Sequence, residues 1–88
     1  MVAKHYRIFG RVQGVYYRGS ARARARRLGL VGWTRNLADG SVEVYAYGAT
    51  ESIDQFEAWL KTGPRDADVT DVVASSAEIE PLSGFEVR

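Results

Sequence analysis

Apolar and polar positions alternate with a period of two from residue 4 to residue 12. Tyr6, Ile8 and Val12 share one face and Arg7, Phe9 and Arg11 the other, which predicts a first strand. The segment 19–28 is ambiguous by period alone. Ala21-Arg22-Ala23-Arg24-Ala25-Arg26 alternates like a strand, yet Ala and Arg are strong helix formers and no β-branched residue stands among them. Propensity outweighs period here and predicts a helix with Ala21, Ala25 and Leu28 in its buried stripe, Arg22, Arg26 and Arg27 outside it, and Gly29 at its end. Residues 30–37 form a second strand that runs into Ala38-Asp39-Gly40-Ser41, whose Asp-Gly pair signals a hairpin, and 42–47 is the third strand. Beyond Gly48 a helix starts at Thr50 or Ser52, where Ser52 and Gln55 have the spacing of a capping box. Its apolar face is Ile53, Phe56 and Leu60, and Gly63-Pro64 ends it. A fourth strand spans 69–74, and Phe85-Glu86-Val87 is a short last one.

The order β-α-β-β-α-β predicts an α+β fold, the ferredoxin-like split βαβ sandwich: an antiparallel sheet, two helices on one face, and a short C-terminal strand. Alternation assigns Leu30, Gly32, Thr34, Asn36, Val42, Val44 and Ala46 to the helix side. Phe9, Trp33, Arg35, Tyr45 and Tyr47 fall on a face expected to lie open. Asn36 is the amide on the apolar side; taken alone it reads as a turn residue satisfied by the backbone of Ala38-Asp39-Gly40.

With 88 residues and 45% hydrophobic content, one small domain over 1–88 with a thin core is expected. The absence of cysteine removes disulfides, thiol nucleophiles and thiolate metal sites, and one histidine gives no His-rich cluster. No apolar run reaches membrane-span length and no signal-like segment opens the chain, so a soluble cytoplasmic monomer without metal or other cofactor is expected. A net charge of +1 argues against a grip on long nucleic acid, and no membrane partner is indicated. The charge is nevertheless uneven: arginines crowd the first half and carboxylates dominate after Asp39, and a basic half suits a small anionic ligand as well as it suits RNA.

The candidate for that ligand is Gly10-Arg11-Val12-Gln13-Gly14-Val15-Tyr16-Tyr17-Arg18, a glycine-containing link from strand to helix that ends in arginine. Gly10 and Gly14 allow positive φ, which turns successive N–H groups toward one point beside a helix N-terminus. Arg18 adds a planar fork of donors matched to phosphate oxygens. By spacing alone the loop fits neither the Walker nor the dinucleotide pattern, and an ordinary strand-to-helix turn with solvated Arg11 and Arg18 is the competing reading.

This run resembles the first signature of the acylphosphatase family, G-x-V-Q-G-V-x-[FY]-R. Gly32-Trp33-Thr34-Arg35-Asn36 followed by Asp39-Gly40-Ser41-Val42 and Gly48 resembles the second. The likeness extends over nearly the whole chain, through Phe56, Trp59-Leu60 and Leu82-Ser83-Gly84-Phe85. Thr34 and Ala21 depart from it, standing where a small apolar residue and a threonine are usual. The resemblance implies metal-independent hydrolysis of a carboxyl-phosphate anhydride. The phosphoryl group of a small-molecule acyl phosphate would be held by Arg18 and by the amides of Gln13, Gly14, Val15, Tyr16, Tyr17 and Arg18. Asn36 would orient the attacking water, and inorganic phosphate would be product and inhibitor.

Two other readings compete. RNA-recognition domains share the element order and stack bases on open-face aromatics, but their aromatic-rich signature is missing from Ser41-Val42-Glu43-Val44-Tyr45-Ala46-Tyr47. Acylphosphatase-like domains also occur within hydrogenase-maturation carbamoyltransferases, whose ligand is carbamoyl phosphate. His5 reads as a surface residue, Asp66, Asp68 and Asp71 as solvated loop charge without EF-hand spacing, and the arginine run as the wet face of the first helix.

Overall fold

The computed structural model describes all residues from Met1 to Arg88. Its elements are β1 (Val2–Arg11), α1 (Tyr17–Arg27), β2 (Val31–Asn36), β3 (Val42–Gly48), α2 (Thr50–Leu60), β4 (Asp68–Ser76) and β5 (Phe85–Val87). Strands lie in the order β4-β1-β3-β2-β5, with α1 over β2 and β5 and α2 over β1 and β3. No helix is long and apolar enough to cross a membrane.

The alternating segment is a helix because its alanines let it lie close to the sheet: Tyr17, Ala21 and Ala25 are buried, and Leu28 packs at the margin. Its end is a Schellman turn in which Gly29 N–H donates to Arg26 O at 3.1 Å and Leu30 N–H to Ala25 O at 2.9 Å. At α2 the capping-box expectation fails. The helix starts at Thr50, its N-cap is Ala49 without a side-chain cap, and Ser52 already lies inside the first turn. Tyr6, Ile8, Val42, Val44, Ile53, Phe56, Leu60 and Phe85 form the core between sheet and helices, as the alternation requires.

Two expectations about the sheet are corrected. It is mixed rather than antiparallel, since β5 pairs parallel to β2 in the register Gly32↔Phe85, Trp33↔Glu86, Thr34↔Val87. The reason is topological: β4 occupies one edge and β5 the other, so the chain crosses the whole sheet between them and no hairpin fixes its direction. That crossing also covers the face expected to lie open. Ala77 and Leu82 pack on Ala3, Trp33, Tyr45 and Tyr47, while the Tyr45 hydroxyl donates to Glu78 O at 2.6 Å and accepts from Glu80 N–H at 2.8 Å. Tyr47 likewise donates to Leu82 O at 3.0 Å. Trp33 and Tyr45 are only 8% and 2% exposed, so they are not free for base stacking.

The parallel pairing decides where function can sit. β1 and β2 both run antiparallel to β3, and β5 runs with β2, so the carboxyl ends of β1, β2 and β5 lie at one end of the sheet. Arg11, Asn36 and Val87 mark that end.

Candidate functional site

β1 leaves the sheet through a bulge between Phe9 and Gly10 on its β4 side. Gly10 has φ +119°, and a side chain there would strike the Asp68 carbonyl and the Thr70 amide, so the chain can bend away only with glycine. The turn continues through Gly14 at φ +75° and Tyr16 at φ 62°, ψ 31°. A tyrosine in the left-handed region is strained, and the alternation of hands it helps create is what faces consecutive amides the same way.

The hydrogen bonding of this loop is unusual. The N–H groups of Gln13, Gly14, Val15 and Tyr16 donate to no acceptor in the chain, and those of Tyr17 and Arg18 belong to a first helical turn, which has no intrahelical acceptors. No acidic residue stands in that turn to neutralise it. Gly14, Tyr16, Tyr17, Arg18 and Asn36 line one concavity of about 320 Å³. Arg18 Nη1 donates to the main-chain oxygen of Arg88 at 3.0 Å, which uses one of the five guanidinium donors.

Asn36 sits at the end of β2, and its Oδ1 is buried without a hydrogen-bond partner. Its amide is therefore not satisfied by the hairpin, contrary to the turn reading of this residue. The hairpin is instead closed by Asp39. Asp39 Oδ1 accepts from Ser41 N–H at 3.0 Å and also from the Ser41 hydroxyl, while Oδ2 accepts from Arg7 Nη2 at 2.6 Å. The Ser41 hydrogen bonds, with Arg7 beside them, hold the Asp39 carboxyl below its ordinary range.

Gln13 and Val15 stand apart from the cavity lining. Val15 packs against the core. The Gln13 side chain turns to the hairpin, where Nε2 donates to Leu37 O at 2.8 Å and to Ser41 O at 3.0 Å. One carboxamide thus ties the loop to the segment that carries Asn36, a role invisible in sequence because nothing local says which carbonyls lie opposite. The sequence reading also missed Val12, Gly19, Arg22 and Val87 in the wall. Arg22 was discoverable, since it lies one helical turn beyond Arg18.

His5 is a partly exposed sheet residue whose Nε2 lies 2.6 Å from Glu43 Oε2, far from the cavity; Arg35 holds the other Glu43 oxygen. Burial pushes the Glu43 carboxyl up, but these two partners outweigh it, so the net shift is downward.

The model of the acylphosphatase family matches residues 4–87. An acylphosphatase of Alkalilimnicola ehrlichii is 45% identical, over 97% of this chain and 96% of its own length. Among solved structures, an acylphosphatase from Coxiella burnetii superposes with a TM-score of 0.95 at 40% identity, covering 99% of this chain and 92% of that one. The acylphosphatase from Bacillus subtilis gives 0.97 at 30% identity, covering 100% and 99%.

Proposed function

The chain belongs to the acylphosphatase family, and on that premise we propose that it hydrolyses acyl phosphates without a metal, with Arg18 and the amides of Gln13 to Arg18 holding the phosphoryl group and Asn36 orienting the water. The observation that carries this reading is that Gly14 and Tyr16, whose amides are unpaired, line one concavity with Arg18 and with Asn36, whose carboxamide oxygen has no partner in the chain. The phosphoryl oxygens of the substrate meet donors that need no reorganisation, as electrostatic catalysis requires.

The chemistry explains why so little machinery suffices. The bond broken joins phosphorus to a carboxylate oxygen, and the conjugate acid of that leaving group has a pKa of roughly 4, so it departs as an anion without protonation. Water forms the new P–O bond in line with the departing oxygen, and its proton passes to a phosphoryl oxygen, giving carboxylate and inorganic phosphate. The protein therefore has to position two reactants and balance charge. The Asn36 carbonyl can accept a hydrogen bond from the attacking water, and unlike a carboxylate it adds no repulsion toward the phosphoryl group.

Phosphate release from acetyl phosphate in the presence of EDTA tests this. Undiminished turnover with competitive inhibition by inorganic phosphate is expected. Loss of activity on chelation would overturn metal independence, and noncompetitive inhibition would place phosphate elsewhere.

A further inference from the structure

Arg18, Arg22 and Arg26 succeed one another at four-residue intervals on one side of α1, the side toward β5. The outer two are engaged: Arg18 Nη1 donates to Arg88 O at 3.0 Å and Arg26 Nη2 to Phe85 O at 3.4 Å. The middle one has neither a hydrogen-bond nor an ion-pair partner. It is partly buried and shares the concavity with Arg18 and Asn36, and no Asp or Glu side chain lines that wall. On the other side of the helix Arg24 and Arg27 border a separate depression, where the Arg24 guanidinium lies over the Trp59 ring. Three like charges in one row repel each other, and an anion between the engaged pair relieves that repulsion.

We propose that Arg22 forms a second anion subsite, so that the protein favours acyl phosphates whose acyl chain carries a further carboxylate or phosphate a few bonds from the carbonyl. The assignment rests on the acyl phosphate reading of the cavity. With the phosphoryl group at Arg18, the acyl chain runs along α1, and one helical turn separates the two guanidinium stems by about 5–6 Å at Cβ. A short chain spans that distance. Val87 provides an apolar flank for its methylene groups, and the planar guanidinium offers two parallel donors to the distal anion.

Calorimetric titration with ethylphosphonate and with 3-phosphonopropionate, which differ by one carboxylate and are not hydrolysed, tests this directly. Wild type is expected to bind the carboxylate-bearing compound about tenfold more tightly, as for one charge-assisted contact. Arg22→Gln brings the ratio close to one, Arg22→Lys keeps part of it, and Arg27→Gln, which removes the same charge from the other side of α1, keeps nearly all of it. Equal binding by wild type, a ratio preserved in Arg22→Gln, or an equal loss in Arg27→Gln would overturn the subsite. Ethylphosphonate binding by each variant reports a folded phosphoryl site. Wild-type hydrolysis of acetyl phosphate is measured beside it: hydrolysis without the preference removes the subsite alone, and the preference without hydrolysis removes the reaction alone.

Discussion

The loop 12–18 and the hairpin 37–41 touch through the Gln13 side chain beside the cavity, and they handle their polar groups in opposite ways. In the hairpin every important group is committed: Asp39 binds Ser41 and Arg7, and Leu37 O accepts from both Gly40 N–H and Gln13. In the loop the amides from Gln13 to Tyr16 have no protein acceptor. Internal pairing makes a turn rigid, whereas withheld pairing makes a turn able to bind. The rigid element holds Asn36 in place, and Gln13 transmits that rigidity to the element that binds.

The contrast can be broken most severely at Arg18. Arg18→Ala is expected to lower kcat/KM for acetyl phosphate by about a thousandfold, with KM and kcat both affected, because clamp and charge stabilisation disappear together. Near-normal hydrolysis by that variant would refute its role. Asn36→Ala is expected to cost about a hundredfold in kcat while the inhibition constant of inorganic phosphate stays within about twofold. A collapse of phosphate binding would instead make Asn36 part of the scaffold.

Gln13→Ala sharpens the comparison by uncoupling the two regions. A fall of about tenfold in kcat is expected, with a stability loss of about 1 kcal/mol from two carbonyls deprived of a donor. Gln13→Glu should be worse than Gln13→Ala, because a carboxylate would face both carbonyl oxygens. If kcat were unchanged in both, the loop and hairpin would hold their positions independently.

The smallest effect is expected from acid. The Asp39 carboxyl is lowered in the folded protein, so its contribution to stability is complete above its unfolded pKa of about 4 and is lost as pH falls through the lower folded value. Urea midpoints measured from pH 6 downward should therefore drop below about pH 4, less steeply in Asp39→Asn. Parallel slopes in the two proteins would show that the hairpin does not depend on this charge.

Much of this was legible in the chain. The two-residue period of β1 and β3, the Asp-Gly hairpin, the helix-forming alanines and arginines, and the glycines before Arg18 are local signals, and each came out where the pattern placed it. Of the two starts the pattern offers for α2, Thr50 is the one observed; the capping box of Ser52 and Gln55 does not form because Ser52 already lies inside the helix. Arg22 was visible as a residue and missed as a wall, since a row of arginines on a helix has the same spacing whether it faces water or a cavity.

Local covalent geometry and side-chain pattern are properties of neighbours in sequence, so the chain by itself determined its elements, their buried faces and the loop that can turn its amides outward. What joins residues far apart was decided only by the tertiary structure. The parallel docking of β5 brings Val87 and Arg88 beside Arg18, the crossing at 77–82 closes the aromatic face, and Gln13 reaches carbonyls more than twenty residues away. These contacts depend on which surfaces remain unburied once the elements pack, and no short-range preference encodes that.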